Sequence, residues 1–188
     1  MIVGLVGFKH SGKSTVAKYL ESKYGFYRHN FKDALIEEIK QNFPDLLREI
    51  AKLYTVSTER LNNIDWPFEE KPTLIRALMQ NYGTEVRRNE NVNYWVNKWE
   101  TALRDMSARR VLPENIVTDD VRFLNEAKVI KVWDGIIIRV ICTGINDGGS
   151  HESETQQTQI VADHTIEVAY GEHDKLQEKI DEIMAKYN

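Results

Sequence analysis

Gly7-Phe8-Lys9-His10-Ser11-Gly12-Lys13-Ser14 satisfies the pattern G-x-x-x-x-G-K-[ST], and its surroundings decide the fold. Ahead of it, Ile2 to Val6 is a short apolar run that reads as a buried central strand. Behind it, residues 13 to 24 read as a helix, with Val16, Leu20 and Tyr24 at helical spacing and Gly25 placed to end it. Strand, glycine-rich loop and helix, in that order, form the setting in which such a loop binds phosphate. The glycines let the backbone close around phosphate oxygens and the helix start supplies a positive end. The lysine reaches the β- and γ-phosphates, and the serine hydroxyl meets magnesium. The expected triphosphate-binding residues are Gly7, His10, Ser11, Gly12, Lys13, Ser14 and Thr15, with Ser14 toward the metal.

Working outward, β-rich runs alternate with helical ones. Phe26 to Phe31 reads as a second strand, followed by helices over 32–43 and 45–53 and an irregular stretch, 55–72, with two prolines. From Thr73 a helix separates two faces: Ile75, Leu78, Met79, Tyr82 and Val86 form an apolar stripe, while Arg76, Gln80, Gly83, Thr84 and Arg87 form a polar face, provided the helix runs through Gly83. A helix over 92–106 places Val92, Trp95, Val96, Trp99, Leu103 and Met106 inward. Asn115 to Thr118 is a third strand ending in Asp119-Asp120, residues 123–133 a helix, and Ile136 to Ile141 a fourth strand. Polar, glycine-rich 143–158 reads as a lid loop, Thr165 to Val168 as a fifth strand, and 173–186 as a last helix with Leu176, Ile180, Ile183 and Met184 inside. This alternation predicts an α/β fold with a five-stranded, mainly parallel sheet in a single domain, 1–188, with a helical region at about 32–112.

A chain of 188 residues, 41% hydrophobic and 29% charged, is long enough for a packed core and excludes disordered or fibrous character. A net charge of −4 with interspersed basic residues argues against nucleic-acid binding. The lone Cys142, read as a small buried residue, suits a reducing compartment; the apolar start is too short for a signal h-region, and no run approaches a membrane span. A cytoplasmic protein is expected; whether it forms a homodimer is not legible.

The loop alone does not choose among ATPases, GTPases and small-molecule kinases. No N-K-x-D tetrapeptide for reading guanine is present, which argues against a common GTPase. Asp119 or Asp120 occupies the strand end where an acidic group approaches magnesium; Asp120 is the first choice, with the other expected to cap a helix. Arg122 is placed to reach phosphate from the same edge.

These blocks, together with Phe31-Lys32-Asp33-Ala34-Leu35, Arg76-Ala77-Leu78-Met79-Gln80-Asn81-Tyr82-Gly83-Thr84-Glu85, Tyr94-Trp95-Val96, Asp120-Val121-Arg122-Phe123-Leu124-Asn125-Glu126-Ala127 and His151-Glu152-Ser153-Glu154, resemble the phage-type deoxynucleoside monophosphate kinases across about residues 2–170. The resemblance implies a three-layer P-loop kinase fold with strand order 2-3-1-4-5 and a helical acceptor-binding insertion. It implies transfer of the γ-phosphoryl of ATP, with Mg2+, to a deoxynucleoside monophosphate, the partners being small-molecule substrates. Lys13, Asp120, Arg122 and Arg76 would carry the chemistry, with Ser14 and Asp120 at the metal. Lys32, Asp33, Arg76, Gln80, Gly83, Thr84, Trp95, Arg122 and His151 would line the acceptor site, and Asn125 and Glu126 would orient Arg122 or the helix. The lid carries no arginine or lysine, so Arg139, Arg122, Arg87, Arg88 or Lys9 would have to face the transferred phosphoryl. Two alternatives stay open: a kinase of another small acceptor resembling dephospho-coenzyme A, with Asp33 as a base, and a nucleotide-binding regulatory protein.

Overall fold

Five parallel strands in the order β2-β3-β1-β4-β5 organise the chain; the parallel sheet is the one the alternation predicts and the order is the one the resemblance implies. The computed structural model describes residues 1–54, 68, 72–144 and 152–187. It divides into two compact units, one formed by Met1–Phe31 with Trp99–Asn188 and the other by Lys32–Lys98.

The first unit holds the sheet. β1 (Ile2–Val6) is buried along its whole length and pairs with β3 (Ile116–Thr118) on one side and β4 (Ile136–Thr143) on the other. β2 (Tyr27–Arg28) flanks β3, and β5 (His164–Ala169) flanks β4. Gly4 is a tight point within the sheet: a Cβ there would lie 2.6 Å from Ile130 Cδ1 and 2.8 Å from Ile137 Cδ1, so a larger residue would force these isoleucines to shift. The core on one face joins Val3, Leu5, Leu20, Ile138 and Ile180, all fully buried. Helix α1 (Lys13–Tyr24) ends on Gly25 in the left-handed conformation, φ 68°. It meets the last helix at Asp181, whose carboxylate accepts from Lys23, Tyr24 and Tyr19 and is held below its usual range by these bonds, that of Lys23 foremost.

The second unit is helical. α2 (Phe31–Asn42) leads into it, followed by α3 (Pro44–Leu53), with proline at its first position, where the missing N–H costs nothing. α4 (Thr73–Gln80) passes directly into a π-helical stretch, Asn81–Arg88, and α5 (Tyr94–Ala108) starts in this unit and ends in the other. Leu35, Ile39, Leu47, Ile75, Tyr82 and Trp95 belong to its core.

Several expectations need correction. The second strand is shorter than predicted: after His29 the chain turns, the Asn30 side chain bonds the backbone of Asp119, and Phe31 opens a helix. The predicted lid loop contains a helix, α7 (Glu152–Gln159), beyond α6 (Leu124–Val132); its C-terminal end is held by Arg139 and by the buried Gln157 and Ile160. Val92 is 63% exposed because α5 begins two residues later, and Val86 leaves the apolar stripe because the π-helical stretch rotates it outward. Cys142 is half-buried rather than buried. Residues 55–67 and 69–71 of the irregular stretch, and residues 145–151 of the lid, lie outside the described residues. α8 (His173–Met184) buries Leu176, Ile180, Ile183 and Met184 as predicted.

Candidate active site

The glycine-rich loop leaves β1 at its C-terminal end, where open α/β sheets bind ligands. Gly7 has φ 154°, and a Cβ on it would lie 2.3 Å from Val140 O and 2.7 Å from Ser11 Oγ. The backbone therefore turns against β4 in a way open only to glycine. His10 adopts φ 63°, a left-handed conformation that non-glycine residues seldom take outside constrained sites. Gly12 caps α1 at φ 99°, with no side-chain cap and no acidic residue in the first turn, so the positive helix start is offered to an anion. Lys13 Nζ lies over the loop, 2.6 Å from both Gly7 O and Phe8 O and 3.4 Å from Ser11 Oγ. Ser11 is buried and Thr15 half-buried.

The acidic partner of the loop is Asp119. Ser14 Oγ donates to Asp119 Oδ2 at 3.0 Å, whereas Asp120 Oδ1 accepts from Phe31 N at 3.1 Å, one of the first N–H groups of α2 that lack a partner within the helix. The sequence reading put Asp120 first; geometry gives Asp119 the place beside the loop serine. The Asp119 side chain is only 3% exposed, and Arg28 Nη1 faces it at 3.5 Å while Nη2 of the same guanidinium bonds Glu21. Asn30 Oδ1 accepts from Asp119 N at 2.9 Å, fixing the backbone. Arg28 and Asn30 escaped sequence reading because neither belongs to a motif; only their position at the end of β2 marks them. The hydroxyl and carboxylate form a hard oxygen pair of the kind that holds magnesium together with substrate phosphates, so the residues fit that ion.

Arg122 sits exposed between β3 and α6. Its backbone N–H donates to Glu126 Oε2 at 2.8 Å, and Phe123 N does so at 3.1 Å, so the buried Glu126 fixes both the arginine's backbone and the helix start, as sequence reading offered. Arg139 is committed elsewhere, donating to Gln157 O and Ile160 O at 3.1 and 2.5 Å.

In the helical unit Arg76 and Gln80 are exposed on α4, Thr84 is half-buried, and Lys32 and Asp33 lie half-buried in the first turn of α2. Gly83 and Trp95 are internal: the indole is 3% exposed, and its Nε1 donates to Gly83 O at 2.9 Å. Sequence reading missed the neighbouring cluster around Glu38. Tyr94 Oη and Tyr82 Oη donate to Glu38 at 2.6 and 3.1 Å, and Arg87 and Lys98 pair with it at 3.3 and 3.2 Å. Burial pushes the Glu38 carboxyl up, but the bonds from Tyr94, Lys98 and Tyr82 outweigh it and hold the group below its usual range. Burial and the Glu38 bond push Tyr94 up to about 12. Arg87 is engaged by this cluster and by Glu90, and Arg88 by Val92 O. His151 lies outside the described residues.

A separate cavity of about 430 Å3, lined by residues including Met1, Tyr24, Glu114 and Tyr187, lies at the opposite, N-terminal end of the strands, away from the loop. No helix among the described residues is long and apolar enough to cross a membrane.

No protein-family model matches the chain. A protein of Acanthamoeba polyphaga mimivirus, provisionally named a deoxynucleotide monophosphate kinase, is 30% identical over 188 residues, covering 92% of this chain and 93% of its own. The crystal structure of TT1252 from Thermus thermophilus aligns with 100% of this chain and 98% of its own at 19% identity, with a TM-score of 0.49. The similarity to the viral protein, at this identity and over this length, means that the chain belongs to the deoxynucleotide monophosphate kinase family.

Proposed function

We propose that the protein transfers the γ-phosphoryl of ATP to a deoxynucleoside monophosphate, releasing ADP and the deoxynucleoside diphosphate. The observation that carries the reading is the Gly7–Ser14 loop with Asp119 bonded to Ser14, in a chain of this family. Loop N–H groups and the start of α1 bind the donor phosphates, and Lys13 neutralises charge at the β- and γ-oxygens. Ser14 and Asp119 would hold magnesium, which supplies charge neutralisation across those oxygens. The accepting phosphate oxygen is already ionised at neutral pH, so this chain needs no strong general base; its residues work by positioning and by countering charge.

On this reading Arg76, Gln80 and Thr84, with Lys32 and Asp33, recognise the acceptor. Their shared unit and their polar, outward or half-buried placement support it. Arg122 supplies a cation from the sheet edge, where its backbone is fixed by Glu126. Gly83 and Trp95 belong to the same region as internal supports.

The test is magnesium-dependent ADP formation from ATP, scanned across the four common deoxynucleoside monophosphates and their ribonucleotide counterparts, with Lys13→Ala as blank. Stimulation by at least one deoxynucleotide is expected. ATP binding with no stimulation by any nucleoside monophosphate overturns the reading.

A further inference from the structure

The π-helical stretch Asn81–Arg88 is held at two adjacent residues by side chains from other helices. Tyr82 Oη donates to Glu38 at 3.1 Å and accepts from Asn42 Nδ2 at 3.0 Å. Gly83 gives its carbonyl to the buried Trp95 Nε1 at 2.9 Å. A π-helix is rare and seldom extends beyond a single turn, and where one occurs it frequently marks a functional site. Eight residues in this form therefore need bonds from outside the helix, and the indole N–H supplies one from α5.

Gly83 makes the contact possible. A Cβ there would lie 3.1 Å from Leu35 Cδ2, tight enough that the turn or the leucine must shift by a few tenths of an ångström, and in ordinary contact, 3.8 Å, with the indole nitrogen. The tryptophan itself is enclosed: its ring packs edge-on against Tyr94 with centroids 4.8 Å apart, and its only ring donor is spent on the glycine carbonyl. It is thus built to hold backbone rather than to touch a base.

We infer that Trp95 is a positioning residue for the acceptor: its indole N–H, fixed on Gly83 O, keeps this stretch π-helical and so sets the spacing between Gln80, before the turn, and Thr84, within it. The inference rests on the reading of Gln80 and Thr84 as acceptor-binding residues. In an α-helix Thr84, four residues on, would lie about 40° past Gln80 around the axis; in the π form each residue turns the helix by less, and Thr84 falls short of that position. That register is what the bond maintains.

The test replaces Trp95, in the full chain, with benzothienylalanine, which keeps the ring shape and puts sulfur where the N–H was. The KM for the best deoxynucleoside monophosphate is expected to rise about tenfold, because a buried carbonyl loses its donor, while the KM for ATP stays within about twofold. Gly83→Ala, which presses on Leu35, is expected to give the same split by an independent route. Gln80→Ala and Thr84→Ala are measured alongside. If they raise acceptor KM and the two backbone-directed changes do not, the positioning role is wrong and the acceptor face stands. If the isostere lowers melting temperature without moving acceptor KM, Trp95 serves packing alone and the inference is overturned. If neither Gln80→Ala nor Thr84→Ala moves acceptor KM, the acceptor reading fails and takes this inference with it.

Discussion

Asp119 and Asp120 are adjacent, equally charged and differently employed, so replacing each by asparagine isolates what the charge does. At 119 the amide oxygen still accepts from Ser14, but the negative charge beside Arg28 and at the proposed magnesium position is gone. A hydrogen bond to a charged group is worth about 1.5–3 kcal/mol, and 1.4 kcal/mol is a factor of ten, so kcat/KM for magnesium-ATP should fall about 10- to 150-fold. Arg28 keeps Glu21, so the fold should lose about 1–3 kcal/mol, the value of one charged hydrogen-bonded contact at a buried carboxylate. At 120, by contrast, the oxygen that receives Phe31 N at 3.1 Å survives as an amide oxygen. Asparagine and aspartate are near equals at a helix start, so stability should change by only a few tenths of a kcal/mol, and kcat/KM by less than about threefold. Steady-state kinetics over a magnesium titration, with thermal melts of both variants, measures all four quantities. A hundredfold loss for Asp120→Asn beside a mild Asp119→Asn would refute the assignment and return the metal position to Asp120.

Two further changes test the surroundings. Gly7→Ala forces a methyl to within 2.3 Å of Val140 O and should abolish ATP binding by calorimetry while costing about 1–3 kcal/mol in denaturant unfolding; undiminished ATP affinity would contradict the loop geometry. Glu38→Gln removes the charge on which two tyrosines and two cations converge and should cost about 2 kcal/mol. The folded Glu38 titrates below its ordinary 4.5, so its contribution is complete above that value and is lost as pH falls through the folded pKa. Melting temperatures of wild type and variant should therefore converge on acidification, and curves that stay parallel down to about pH 3 would show that Glu38 is not the group responsible.

The arginines narrow the choice of cation for the transferred phosphoryl. Sequence reading placed Arg122 toward phosphate but left Arg139, Arg87, Arg88 and Lys9 open beside it, because nothing in a linear pattern records where a cation is spent. Arg139 closes the end of α7, and Arg87 and Arg88 serve the Glu38 cluster and the turn before α5. Arg122 is exposed in the loop after β3, three residues beyond the aspartate that faces Ser14. Its backbone is clamped by a buried glutamate, which is the kind of anchor that its proposed role would need.

How much of this was legible follows from which features are local. β1, the loop, α1 and the Gly25 cap were readable because each is set by a short run: an apolar strand, glycines where only glycine fits, and a 3.6-residue period. The strand order followed from the resemblance, since periodicity does not say which strands pair. Asp119 against Asp120 was illegible because the choice depends on Ser14, more than a hundred residues away, and on Phe31, neither visible from strand 3. The failure over residues 81–88 has a different cause. The helix was rightly expected to continue past Gln80, but its faces were projected with one period, and the period changes at Asn81. Val86 was therefore placed inside and is 37% exposed, while Gly83, placed on the polar face, is buried under Leu35. No residue in the stretch announces the change, because its cause is tertiary: Trp95 and Glu38, from two other helices, supply the bonds that make the wider turn stable. Gly83 and Thr84, two of the residues that the resemblance gives to the acceptor, fall where the local periodicity breaks. On the proposed reading, the change of register there turns Thr84 to a direction that an unbroken α-helix would not give it.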